Sequence, residues 1–242
     1  RLVGSEMCIR DRLATLTTLP THFNLTQPRQ ATNKIFHLEN VVCQQNHHIL
    51  LQAPSWDFND GITTLTGANG SGKSTLLRSM VQRHPYQGRM FLGQQRLRRR
   101  KRLYQTMTLA VQDAAKQFVT LTLADELAFG PALPAAVREK QQAALAYLGL
   151  AEKQTTSLYQ LSEGQKKMVQ LMTMLSLDLS FLLLDEPFSG LDDRACQYFA
   201  AWIKAKSATQ AFLIVTHRLA PLASISQQHV VLANQRLQVV RE

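Results

Sequence analysis

The chain has 242 residues, 45% of them hydrophobic, which is enough apolar material for one large core, and no uninterrupted apolar stretch approaches the roughly 20 residues of a membrane-spanning helix. Its three cysteines, Cys8, Cys43 and Cys196, show no paired spacing, which argues against a zinc site or a disulfide framework. The formal charge of +10 is compatible with nucleic acid, an anionic membrane surface or no specific partner, so its distribution matters more than its size.

In chain order, the opening "RLVGSEMCIRDR" lacks the apolar centre of a secretory signal and resembles a translated adapter sequence. With the Thr-, Pro- and Gln-rich residues 13–33 it is set apart as a lead-in. The rest, residues 34–240, contains no internal repeat and reads as one domain. "KIFHLENVV" (34–42) and "ITTLTG" (62–67) are predicted strands, and "STLLRSMVQR" after a glycine turn is predicted helix. The basic run "RLRRRKR" (96–102) carries no interleaved aromatics, which weakens a nucleic-acid reading and favours a solvated face.

"TMTLAV" is the next predicted strand. Residues 122–150 are patterned as helix, interrupted by "FGPALP". "SFLLLDE" and "AFLIVTH" are continuous apolar runs that end in polar residues, as buried parallel strands with function at their carboxyl ends do. Their alternation with helices predicts an α/β core.

Two segments carry chemistry. "GANGSGKS" fills GxxxxGK[ST] between a predicted strand and helix, a loop whose backbone N–H groups close around phosphates at a helix N-terminus. Gly67, Ala68, Asn69, Gly70, Ser71, Gly72, Lys73, Ser74 and Thr75 form this candidate nucleotide site, with Lys73 reaching the β- and γ-phosphates and Ser74 ligating Mg²⁺. In "FLLLDE", Asp185 stands at the strand tip as a second Mg²⁺ holder and Glu186 beside it as general base toward water. Two adjacent acids at the end of an apolar strand are costly unless a cation or substrate uses them.

These segments resemble the nucleotide-binding subunit of an ATP-binding-cassette (ABC) transporter, over roughly residues 34 to 240. The resemblance implies a P-loop NTPase of the α/β class: a RecA-like core, an antiparallel β subdomain and a helical subdomain at about 113–175. It implies that Gln112 senses Mg²⁺ and water, so that Ser74, Gln112 and Asp185 are the metal residues. It makes "LSEGQ" (161–165) a signature in which Ser162, Gly164 and Gln165 bind the ATP of an opposite cassette. "SGLD" (189–192) resembles the D-loop, and His217 the switch histidine. Glu186, His217, Lys73 and Gln112 are then the catalytic set, with ATP and Mg²⁺ as ligands.

The implied partners are a second ATPase subunit, identical or sister, and a transmembrane coupling subunit at the cytoplasmic face of the cell membrane, with no nucleic acid. "QFVTLTLADELAFGPALP" is similar to energy-coupling-factor and cobalt-type importers through Asp125, Glu126, Phe129, Gly130 and Pro131. Two other readings remain: a cytosolic non-transport ATPase acting on nucleic acid, and a cassette that binds ATP with little turnover. The segment between Gln112 and Leu161 is too short for the long coiled coil of DNA-repair relatives.

The sequence departs from the family pattern in places. Gln45 stands where an aromatic usually stacks on adenine, with His47 or His48 as substitutes or as plain loop residues. Glu163 replaces a signature glycine, Met168 a frequent basic residue, and Arg218 a common acid after the histidine. Lys166 and Lys167 either support the phosphate field or lie on a solvated helix face.

Overall fold

The computed structural model describes residues 34–98, 101–130 and 132–240. The lead-in 1–33, Arg99 and Arg100 of the basic run, and Pro131 lie outside the described residues.

A four-stranded antiparallel sheet and a six-stranded sheet form the scaffold. The first holds β1 (Lys34–Gln45), β2 (His48–Asn59), β4 (Tyr86–Leu92) and β5 (Gln95–Arg96) in the order β2-β1-β4-β5. Asn46 and His47, both at positive φ, turn β1 into β2, the two-residue hairpin geometry whose twist matches the strands. Pro54 is tolerated because β2 is an edge strand.

The second sheet is built from β3 (Ile62–Thr66), β6 (Met107–Ala110), β7 (Phe181–Asp185), β8 (Ala211–Val215), β9 (Gln228–Ala233) and β10 (Arg236–Val239), in the order β10-β9-β3-β8-β7-β6. All its pairs are parallel except β10 with β9.

The apolar runs of β7 and β8 serve two cores, because successive side chains of a strand point to opposite faces. Phe181, Leu183 and Leu213 face helix α1 (Lys73–Met80), whose Leu76, Leu77 and Met80 in turn meet Phe36, Leu38 and Phe58 of the antiparallel sheet. Leu182, Leu184, Phe212 and Ile214 face the other way, toward Val169, Met172 and Leu175 of α4 (Glu163–Ser176) and Phe199, Trp202 and Ile203 of α5 (Asp193–Lys206). Burying each such side chain is worth about 1.5–3 kcal/mol, so these two strands anchor both layers.

The region patterned as an interrupted helix is α2 (Leu123–Ala128) and α3 (Ala135–Tyr147), which pack with α4 in the second core. α1 is shorter than its periodicity predicts. Gln82 adopts φ 60°, and Arg83 N–H returns to the Arg78 carbonyl at 2.8 Å, closing the helix in a left-handed cap.

The strands β3, β6, β7 and β8 all end at the same edge of the sheet, each followed by a candidate site segment. Ligands of open α/β sheets bind outside the carboxyl ends of the strands, so the topology gathers these segments at one place.

Candidate active site

The loop after β3 runs through Gly67, Gly70 and Gly72, all at positive φ, into α1. Two of these glycines are required by space as well. A Cβ on Gly67 would lie 2.5 Å from the Leu232 carbonyl oxygen, and one on Gly72 would lie 2.7 Å from Cβ of Leu50 in β2. Lys73 is buried and its ammonium donates to the carbonyls of Gly67 (2.7 Å) and Ala68 (2.9 Å), so the loop and its cation form one unit. Ser71 turns its hydroxyl inward, where it is buried without a partner. Asn69, Gly70, Gly72, Lys73, Ser74 and Thr75 line a cleft of about 680 Å³.

The far wall of that cleft is the end of β7. Asp185 is 4% exposed and pairs in register with Val215 of β8. Glu186 follows at φ 49°, a left-handed conformation that costs a non-glycine residue about 1–3 kcal/mol and persists where the surroundings over-determine it. Here its N–H donates to the Val215 carbonyl (2.8 Å) and its carbonyl accepts from Ser189 N–H (3.3 Å). The result aims the carboxylate at His217. The His217 backbone N–H donates to Oε2 at 3.3 Å, and the ring Nε2 lies 3.5 Å from Oε1.

Gln112, just past β6, lines the same cleft, as do Gln45, Leu50, Ser189 and Gly190. His47 lies in the β1–β2 turn and His48 at the start of β2. Both are exposed, and neither lines the cleft.

Lys167 departs from the solvated-face alternative. It is 4% exposed, and its ammonium donates to the carbonyls of Gln112 (2.6 Å) and Val111 (3.4 Å) and to Gln170 Oε1 (3.1 Å). Gln170 Nε2 reinforces the link through the Val111 carbonyl (2.9 Å) and Gln117 Oε1 (2.7 Å). Lys166 instead pairs with Glu163 at 2.7 Å.

The signature segment is placed elsewhere. Ser162 caps α4 by accepting from Gln165 N–H (3.3 Å), and Gln165 Oε1 accepts from Ser162 N–H (3.1 Å), a complete capping box. Gly164 is pressed against the backbone of Gly190, such that a Cβ would stand 2.6 Å from the Gly190 oxygen. Ser162, Gly164 and Gln165 do not line the cleft that holds Lys73 and Glu186.

The ABC transporter family profile matches residues 51–189, more than half of the chain and most of the site. The chain belongs to the ABC transporter family. It is 36% identical over 185 residues to the "Putative HMP/thiamine import ATP-binding protein YkoD" of Bacillus subtilis (strain 168), a match covering 74% of this chain and 34% of that longer protein. It is 33% identical over 187 residues to the nickel import ATP-binding protein NikO of Rhodobacter capsulatus, covering 70% of this chain and 74% of that one. A solved ATP-binding subunit of an ABC transporter superposes with a TM-score of 0.72 at 22% identity, over 85% of this chain and 90% of that chain, which shows that the fold is shared.

In this ABC ATPase domain the charges of the cleft oppose one another. Burial pushes the Lys73 ammonium below its ordinary value, while the Glu186 and Asp185 carboxylates pull it back. Burial pushes the Asp185 carboxyl up, against a hydrogen bond with Ser74 and the fields of Arg78, Lys167 and Lys73. Lys167 is likewise lowered by burial and supported by Asp185, Asp113, Glu186 and Glu163.

The donors nearest the phosphate loop suit Mg²⁺. The Ser74 hydroxyl, the Asp185 carboxylate and the Gln112 amide are hard oxygen groups, and the described residues hold no cluster of three acidic, His or Cys groups. A small carboxylate count fits a cation that keeps waters and takes phosphate oxygens from its substrate.

Two features of this cassette were not among the sequence-predicted site residues. Lys167 was legible in principle, because Lys167, Leu171 and Leu175 recur every four residues on the buried face of α4. The Arg218 side chain, which reaches the carbonyls of Phe188 and Leu191, left no signal beyond its departure from the family pattern.

Proposed function

We propose that this chain is the ATP-hydrolysing subunit of a membrane importer of the energy-coupling-factor type, working as a pair of cassettes around two ATP molecules. One observation carries the reading. Lys73, Ser74, Gln112, Asp185, Glu186 and His217 share a single cleft, whereas the Ser162 end of α4 does not line it. A capped helix N-terminus with a glycine and a hydroxyl is suited to a phosphate and lacks a base, so its use falls to the nucleotide of a second copy or sister subunit.

Within the cleft, the phosphate loop and Lys73 hold the β- and γ-phosphates of the substrate. Ser74, Asp185 and Gln112 would hold Mg²⁺, which spreads the phosphate charge when bound. A water oxygen attacks the γ-phosphorus in line, its proton passes to the Glu186 carboxylate, and the bond to the ADP oxygen breaks. His217 orients Glu186 through the two contacts described above.

A membrane partner is supported by an exposed apolar group on the helical region, Val119, Leu121, Phe129 and Tyr159, each more than half exposed. No helix among the described residues is long and apolar enough to cross a membrane. The reading gives the span to that partner and the cytoplasmic face to the cassette, in keeping with the import names of the two relatives above. The import direction and the vitamin or metal-ion cargo class follow the names of the two relatives above.

The test is Mg²⁺-dependent ATP hydrolysis by the full chain against protein concentration, beside Glu186→Gln. A rate per molecule that rises with concentration and drops by about 10²–10⁴ in the variant is expected of a general base in a paired site. A Glu186→Gln protein with normal turnover would sink the assignment. Concentration-independent turnover would remove the pairing.

A further inference from the structure

Arg218 stands where the family more often has an acid, and its side chain makes contacts that no acid can. One guanidinium nitrogen donates to the carbonyls of Leu191 (2.6 Å) and Phe188 (3.1 Å), which are the two ends of the turn carrying Ser189 and Gly190. A second nitrogen meets Asp193 at 3.0 Å. The Arg218 backbone is itself fixed, its N–H donating to Thr216 Oγ1 at 2.9 Å, and Thr216 is fully buried. A terminal guanidinium nitrogen carries two N–H donors, one for each carbonyl, which leaves the other terminal nitrogen for Asp193.

The turn held in this way touches both halves of the site. On one side Ser189 N–H donates to the Glu186 carbonyl, and Ser189 and Gly190 line the nucleotide cleft. On the other side the Gly190 backbone is packed against Gly164 at the start of α4. Arg218 also adjoins His217, whose N–H and ring meet Glu186. The carbonyl contacts carry the strap. The Asp193 pair is largely solvated, with side-chain exposures of 40% and 76%, and exposed pairs of this kind contribute little.

We propose that Arg218 is a positioning residue that straps the Phe188–Leu191 turn, holding the Glu186–His217 pair and the Gly164 end of α4 in one fixed relation. The inference rests on the ATPase reading above. Its consequence is that a phosphate engaged at the start of α4 is felt at the general base through this turn, and that losing the strap slows the chemical step without loosening ATP.

The experiment uses the full chain as Arg218→Met, Arg218→Lys and Asp193→Asn, read by steady-state ATP hydrolysis and by hydrogen exchange of the backbone amides. In Arg218→Met, kcat should fall about ten- to a hundredfold, the scale of an ångström-level misplacement, with KM for ATP within about twofold. Arg218→Lys should recover much of this, since an ammonium can donate to the same two carbonyls, and Asp193→Asn should match the wild type, because the carbonyl contacts are the element at issue. The Leu191 amide, bonded to the Phe188 carbonyl, should exchange at least about tenfold faster in Arg218→Met while β7 stays protected.

A normal kcat in Arg218→Met overturns the proposal, as does unchanged exchange at Leu191. A large rise in KM with kcat retained would make Arg218 a nucleotide contact instead. If the wild type shows no turnover at any concentration, the ATPase reading fails on its own, and the exchange result still decides whether the strap exists.

Discussion

The Lys167 ammonium lies 2.6 Å from the carbonyl oxygen of Gln112, joining the signature helix to the residue that reaches the cleft from β6. A buried ammonium is stable only when its donors are used, and here three acceptors surround it. Lys167→Met keeps the aliphatic bulk and leaves the Val111 and Gln112 carbonyls with fewer partners. Unfolding in urea should show a loss of roughly 1–3 kcal/mol, the usual effect of orphaning buried polar groups. The Mg²⁺ concentration for half-maximal hydrolysis should also rise, because Gln112 is no longer tied in place. An unchanged Mg²⁺ dependence would make the link purely structural.

Gly164→Ala addresses the contact between the two halves of the site. The added Cβ would meet the Gly190 oxygen at 2.6 Å, and both partners are backbone, so α4 or the turn must shift. Gly164 does not line the cleft, and ATP binding by a single cassette should stay within about threefold while turnover drops at least tenfold, as expected when only the reacting geometry is disturbed. Equal losses in binding and turnover would show that Gly164 matters to the cleft directly.

Much of this site was legible because its chemistry sits in contiguous stretches. The glycines before Lys73 announce a phosphate loop, and the runs ending at Asp185 and Val215 read as parallel strands because both of their faces are buried. The antiparallel sheet was harder to see. β2 carries Pro54 and an irregular burial pattern, and β4 carries Gly88 against the Asn40 carbonyl, so neither shows clean alternation. Lys167 shares the four-residue spacing of the buried Leu171 and Leu175, yet its charge argues the other way. A lysine on a helix is usually solvated, and only the approach of β6 and the loop after it supplies acceptors that let it be buried. The Arg218 strap depends on residues 27 and 30 positions away, a proximity that only the fold creates.

Gln45 and Leu50 belong to the lining of the cleft, and no Phe, Tyr or Trp is among its described lining residues. Stacking on an aromatic ring is worth about 1–3 kcal/mol per base, so Gln45→Tyr should tighten ATP binding by roughly 5- to 150-fold. The gain should appear as a lower Kd with kcat nearly unchanged, since the base is remote from the reacting phosphate. Isothermal titration of wild type and variant decides it. Equal affinities would mean that the base of the bound nucleotide does not lie over position 45.

Lys206 offers a pH test that is independent of nucleotide. Its ammonium reaches from α5 to the carbonyls of Leu175 and Leu177 at the end of α4. Burial lowers it from an ordinary 10.5 to about 8, with Lys140 adding to the shift and Asp178 opposing it. Between these values the unfolded chain binds more protons than the folded one, so this group makes stability rise with pH across that window. Measured against Lys206→Met, which cancels the contributions of other groups, the stability difference should move in favour of the wild type between about pH 8 and 10, by at most roughly 3 kcal/mol. Below about pH 7.5 the difference should be flat, because both states then carry the proton. A difference that shrinks with rising pH would show that the two carbonyls hold the charged form more strongly than burial disfavours it.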